Sequence, residues 1–272
     1  MAKQSVSILV TNDDGIMAPG LAALSSALAR LGTVYVVAPD RERSTVGHAL
    51  TLHRPLRAEW LSDERVSVNG TPSDCVNLAL LGLLPVKPKL VVAGINHGGN
   101  LGDDVTYSGT VAAAMEGTLL GVPSIAVSLV DQPAGPFVEA GRVARAIAEL
   151  VLGEGLPHKT LLNVNVPPGV PRGIRFTRLG HRVYSEAVRK ETDPRGKAHY
   201  WIGAGPPLWE REEETDMTAV HEGHVSVTPL HMDLTDQRML RKMTGWREIL
   251  EERAKPPRGS RRSSGPQGAG TP

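Results

Sequence analysis

Short β-branched runs that alternate with longer amphipathic stretches constrain this chain more than any other feature of its sequence. Val6-Ser7-Ile8-Leu9-Val10-Thr11 reads as a buried strand. Pro19 then stands where a first helical residue would, and Leu21, Leu24, Leu28 and Leu31 share one face before Gly32. Residues 34–37 form a second strand, and Thr71-Pro72 caps and opens a helix through Leu81. Residues 90–95, 124–130 and 161–166 read as further strands, with helices at 110–120 and 137–152. Strands apolar on both faces and separated by helices imply a doubly wound α/β fold with a mostly parallel sheet. Right-handed crossovers then bring the C-terminal ends of the strands to one edge.

The pattern changes near Gly180. Residues 181–224 carry few apolar repeats but hold Tyr200-Trp201 and Trp209, and a strand-like run at 224–229 and a helix at 236–253 follow. The expected organisation is a core at 1–180, an arm with a terminal helix at 181–253 and a tail at 254–272. A 40-residue structureless loop is unusual in a compact domain, so the arm is expected to pack against something, such as another subunit. The tail is rich in Pro, Gly and Ser and cannot fold alone. It holds Lys255, Arg258, Arg261 and Arg262 and no acid, so removing it takes the formal charge from +1 to about −3. The body has no dominant basic field, and no specific nucleic-acid partner is expected.

Several classes drop out. A single cysteine, Cys75, excludes a disulfide framework and a cysteine zinc site, and reads as a small buried residue. The apolar run at 6–10 is too short for a signal-peptide core and no run approaches a membrane span, so a cytoplasmic protein is expected. A chain of 272 residues needs no metal staple to fold, so any metal site is functional.

The chemistry collects at the strand ends. Thr11-Asn12-Asp13-Asp14-Gly15 places two adjacent carboxylates where open α/β sheets bind ligands. Their mutual repulsion is relieved by a hard divalent cation such as Mg²⁺ or Mn²⁺; helix capping is the other reading. Asp40-Arg41-Glu42-Arg43-Ser44 follows the second strand and fits a phosphate or metal neighbourhood, or a solvated loop. After residues 90–95 come Asn96, His97 and Asn100 in a glycine-rich loop that lets backbone approach a ligand. Ser108, Gly109 and Thr110 then open a helix, as an anion site or as ordinary capping. There is neither a dinucleotide fingerprint nor a Walker A loop. Together these segments supply carboxylates for a cation and donors for an anion, the requirement for metal-assisted phosphoryl hydrolysis.

In order along the chain, Thr11-Asn-Asp-Asp-Gly15, Val37-Ala-Pro-Asp-Arg41 with Ser44, Asn69-Gly-Thr-Pro-Ser-Asp-Cys75, Gly94-Ile-Asn96 with Asn100-Leu-Gly-Asp-Asp104, and Tyr107-Ser-Gly-Thr-Val-Ala-Ala-Ala-Met-Glu116 resemble the SurE family of 5′/3′-nucleotidases. Tyr200-Trp-Ile-Gly203, Gly223-His-Val-Ser-Val-Thr-Pro-Leu230 and Asp233-Leu-Thr235 extend the likeness to about residues 6–248. The resemblance implies a Rossmann-like core, one Mg²⁺ or Mn²⁺ held by Asp13, Asp14, Ser44 and Asn96, and phosphate near Asn100, Ser108, Gly109 and Thr110. It also implies a dimer or tetramer that exchanges a C-terminal hairpin, and hydrolysis of nucleoside 5′- and 3′-monophosphates by metal-activated water, with Asp13 and Asp14 catalytic and short polyphosphate a side substrate. Val46-Gly47-His48 after Ser44, and His97 and Gly99 before Asn100, depart from the family pattern and bear on substrate preference. Two rival readings are a nucleotide-binding module without turnover and a zinc-dependent deacetylase-type hydrolase. The latter needs a histidine where Thr11 stands.

Overall fold

The protein is described here by a computed structural model that defines residues 6–130, 137–183, 188–202, 208–210 and 212–254. All of the basic tail beyond Ala254 lies outside the described residues. In chain order the elements begin with β1 (Ser7–Thr11), α1 (Pro19–Leu28), β2 (Thr33–Pro39), β3 (Ala58–Ser62), β4 (Arg65–Val68) and α2 (Pro72–Leu78). They continue with β5 (Leu90–His97), α3 (Gly109–Leu119), β6 (Ser124–Leu129), α4 (Val138–Glu154) and β7 (Thr160–Val166). Then come β8 (Ile174–Phe176), β9 (Arg182–Val183), β10 (Val188–Thr192), β11 (Ala198–Ile202), β12 (Leu208–Trp209), α5 (Asp216–His221) and β13 (Val225–His231). A nine-stranded sheet runs β3-β4-β2-β1-β5-β6-β7-β13-β8. Its pairs from β4 through β7 are parallel, whereas β3 and β13 run antiparallel to β4 and β7.

The apolar periodicity is realised on both faces. On one, Leu21, Leu24 and Leu28 of α1 and Val143, Ile147 and Val151 of α4 pack over Ile8, Val10, Val92 and Val127. On the other, Cys75 and Val76 of α2 and Val111, Ala113 and Ala114 of α3 cover Leu9, Val91, Ala93 and Ala126. Each fully buried leucine contributes about 1.5–3 kcal/mol relative to exposure, so these stripes dominate the fold's stability. Thr71 and Asp74 form a reciprocal capping box at α2, with Pro72 at its first position. The helix is shorter than its apolar pattern implied: it ends at Leu78 and continues as a π-helical turn over Ala79–Leu83.

Two strands lie where the sequence reading placed none. The β3–β4 hairpin carries Glu59, Asp63, Glu64 and Arg65; every residue of β3 is exposed, and the alternation of β4, with Val66 and Val68 buried, spans only four residues. The main sheet also continues past residue 180. β13 pairs with β7 over six residues and with β8 on its other side, and the first compact unit extends to Met232. Between them, β10 and β11 form an antiparallel hairpin on which Tyr200, Trp201 and Ile202 are all more than half exposed.

The described residues from Asp233 onward belong to a second unit. The single helix expected over 236–253 is divided there into α6 (Gln237–Met243), a 3-10 turn at Thr244–Trp246 and α7 (Arg247–Arg253). Gly245, a poor helix former, sits at the break. The Asp236 carboxylate caps α6, accepting from the Arg238 and Met239 amides at 2.9 and 2.8 Å. Among the described residues no helix is long and apolar enough to cross a membrane.

Candidate active site

Because β1, β2 and β5 are parallel neighbours, the loops at their C-terminal ends meet. They enclose an open cavity of about 840 Å³ whose lining includes Asp13, Asp14, Ser44, Asn96, Asn100 and Ser108. Six of the eight residues singled out by sequence therefore face one space. Gly109 and Thr110 do not line it. They stand behind Asp13 instead: the Thr110 hydroxyl donates to Asp13 Oδ1 at 2.5 Å and the Thr110 amide to Oδ2 at 3.2 Å. A methyl group on Gly109 would lie 2.8 Å from both the β-carbon and Oδ2 of Asp13, so only glycine lets the helix start approach this closely. Ser108 is the N-cap of α3, accepting from the Val111 amide at 3.0 Å.

Burial raises the pKa of Asp13 above the usual carboxylate range, against the pull of the Thr110 hydrogen bonds. Burial and the neighbouring Asp13 charge raise Asp14 to about 6, while the His97 amide bonds its carboxylate and works the other way. Glu42 adds a third negative charge on the cavity wall, and its Oε1 accepts from the Ser44 hydroxyl at 2.8 Å. The sequence reading passed over Glu42 for the arginines beside it. In the fold Arg41 and Arg43 turn to Asp40, at 3.7 and 3.5 Å, and neither lines the cavity. The cation on the wall is Arg182 from β9, which grips both oxygens of Asp104 at 2.6 and 2.8 Å.

Asn100 is fixed by residues that sequence reasoning missed. Its backbone carbonyl accepts from the side-chain amides of Asn163 and Asn165 at 2.8 and 3.0 Å. Its amide donates to Asn165 Oδ1 and its side chain to the Ser128 hydroxyl, each at 2.8 Å. The signal was there: Asn163 and Asn165 are polar residues two apart in an otherwise apolar strand, and so share one face. Asn96 is aimed by a register shift between β5 and β6 that falls between Ala93 and Asn96, and its side-chain Nδ2 donates to the Gly98 carbonyl at 2.8 Å. Just outside, Asp216 at the start of α5 accepts from the Gly102, Gly180 and Met217 amides at 2.7, 2.9 and 2.9 Å, tying the Asn100 loop to the following chain.

The lining fits a hard divalent cation. Three carboxylates crowd one wall and two are held protonated more readily than usual, the electrostatic signature of a place where positive charge is wanted. The adjoining Ser44 hydroxyl and Asn96 carboxamide complete an oxygen donor set. Among the described residues no group of three or more His, Cys, Asp or Glu could hold a metal ion by itself, so a cation here would need the Ser44 and Asn96 oxygens as well.

The chain is similar to known proteins in sequence and in fold. The family model described as "Survival protein SurE" matches residues 8–186. The 5′-nucleotidase SurE of Syntrophotalea carbinolica is 56% identical over 241 residues, covering 88% of this chain and 96% of that protein. That of Pelobacter propionicus is 56% identical over 243 residues, covering 88% and 98%. The crystal structure of SurE protein from Aquifex aeolicus superposes with a TM-score of 0.80 at 48% identity, covering 90% of this chain and 99% of that one. With a family model spanning most of the ordered core and relatives matched nearly end to end, this chain belongs to the SurE family.

Proposed function

We propose that this chain is a divalent-metal-dependent phosphomonoesterase that hydrolyses nucleoside monophosphates to nucleoside and phosphate. The observation that carries it is the convergence of Asp13, Asp14 and Glu42 with Ser44, Asn96, Asn100 and Ser108 around one cavity of about 840 Å³, far larger than a phosphate group needs. The nucleotidase names borne by relatives of 56% identity support the substrate class.

Asp13, Asp14, Ser44 and Asn96 would hold the ion, with Mg²⁺ or Mn²⁺ favoured by the oxygen donors. When bound, such an ion acidifies a water and screens phosphate charge. The chain's own residues do the rest. Thr110 fixes the Asp13 carboxylate through two hydrogen bonds, so that its oxygens do not rotate away from the cavity. Asn100, immobilised by Asn163, Asn165 and Ser128, presents its side chain to the phosphate end, and Ser108 stands beside it at the head of α3. Tyr107 and Ile202, 61% and 88% exposed, give the outer wall apolar surface for the nucleoside. The exposed aromatic face of the β10–β11 hairpin supports exchange of this hairpin within a homodimer or tetramer.

The test is phosphate release from AMP with Mg²⁺ or Mn²⁺ by the wild type and by Asp13→Asn. Loss of at least about 100-fold in kcat/KM, and abolition of wild-type turnover by a chelator, are expected. Metal-independent turnover, or most of the activity retained in Asp13→Asn, would reject the assignment.

A further inference from the structure

Glu116 is a buried carboxylate, 5% exposed, that the chemistry above does not use. It projects from α3, six residues and so about 9 Å along the axis from Thr110. Its Oε1 accepts from the Asn77 side-chain amide at 2.8 Å, and its Oε2 lies 2.8 Å from His48 Nε2. His48 is on the loop that carries Ser44, four residues further on. Between them Thr45 and Gly47 both adopt left-handed backbone, with φ of 60° and 62°, so the segment is a compact turn. Beyond His48 the same loop is docked again: the Thr71 hydroxyl donates to the Ala49 carbonyl at 2.7 Å and the Thr51 amide to Asp74 Oδ1 at 2.8 Å. On the other side of Ser44, the Arg43 amide donates to the Asp13 carbonyl at 2.7 Å.

Ser44 is therefore slung between two points that lead to one helix. Arg43 is tied to Asp13, whose carboxylate is held by Thr110 in the first turn of α3, and His48 is tied to Glu116 two turns later. We propose that His48 is a positioning residue: through Glu116 it holds the Ser44 hydroxyl in register with Asp13, so that α3 gauges the two halves of the cation site against each other. This rests on the cation-binding reading given above. The loop's own side chains supply little burial, since Ser44, Thr45 and Val46 are all exposed. Ordering such residues costs backbone entropy, and the hydrogen bond between His48 and Glu116 at the far end of the turn helps to offset it.

The experiment is calorimetric titration of Mn²⁺ into the full chain for wild type, His48→Ala, His48→Gln, Ser44→Ala and the Ser44→Ala/His48→Ala double variant. His48→Ala is expected to weaken Mn²⁺ binding about tenfold, in the range seen when supports of metal ligands are removed. His48→Gln places an amide donor where Nε2 stood and should return affinity to within about threefold of wild type. In the Ser44→Ala background, His48→Ala should add no further loss, because the residue it positions is gone. Faster tryptic cleavage after Arg43 in His48→Ala, reversed in His48→Gln, reads the same tether without any metal. If His48→Ala does not fold, His48→Leu, which keeps the bulk and deletes the donor, carries the same expectations. Wild-type affinity in His48→Ala, or losses from His48→Ala and Ser44→Ala that simply add, would overturn the proposal while leaving the phosphatase reading intact. Failure of the wild type to bind Mn²⁺ would overturn both.

Discussion

Thr110→Val isolates the contact on which the site's electrostatics turn. Thr110 is fully buried and Asp13 is 4% exposed, and the hydroxyl reaches Oδ1 at 2.5 Å. Valine fills nearly the same volume, so no cavity opens, and the amide bond to Oδ2 at 3.2 Å remains. What is lost is one hydrogen bond to a charged, desolvated acceptor, about 1.5–3 kcal/mol. In a chain of this size that lowers Tm by about 3–12 °C at pH 8 without metal. It also lets the Asp13 carboxylate turn, which should weaken Mn²⁺ binding by about 10–100-fold, as with other supports of metal ligands. Thr110→Ser keeps the hydroxyl and should retain affinity within a few-fold while losing a little stability to the missing methyl. Calorimetric titration and thermal melts on the three proteins decide it. If Thr110→Val binds Mn²⁺ as the wild type does, Asp13 is not oriented by this bond and the account of the site fails.

Three further outcomes follow from the geometry. Gly109→Ala drives a methyl group into the Asp13 side chain and should cut kcat/KM more than tenfold with the secondary structure intact, by circular dichroism alongside the AMP assay. Asp216→Ala strands the buried amides of Gly102 and Gly180 and the part-buried amide of Met217, and should cost about 3–5 kcal/mol in urea unfolding, whereas Asp216→Asn, which keeps one acceptor, should cost less. Asp14 in the ion-free protein is raised to about 6, so below that pH an incoming cation must displace a proton: affinity should be flat above pH 7, fall by about tenfold per unit below 6, and be accompanied by measurable proton release.

The strands and helices that build the core were legible because burial on both faces leaves long apolar runs, and the ligand-bearing loops because open α/β sheets gather them at one edge. Asp13, Asp14, Ser44, Asn96, Asn100 and Ser108, singled out on that ground, line one cavity. What escaped was held by partners far away in the sequence. Glu42 looked like part of a solvated charge run, and its role depends on Ser44 facing it. His48 and Glu116 are 68 residues apart, and Asn100 and Asn165 are 65 apart, with no local pattern linking either pair. Thr110 was read as a phosphate donor because a helix start offers free donors, but a buried carboxylate lay nearer. The β3–β4 hairpin was missed because its exposed edge strand needs no apolar face and β4 alternates over only four residues.

The four hydrogen bonds on Asn100 give the cavity one stiff wall, anchored in the middle of the sheet by β6 and β7. Ser44 and Thr45, by contrast, reach the cavity from a surface turn that is moored only at its ends. Substrates of different girth must be accommodated where the scaffold can give, so evolutionary retuning of the leaving group should accumulate in that turn. The phosphoryl seat and Ser44 would stay untouched, and a laboratory library aimed at new esters is best confined to residues 45–47.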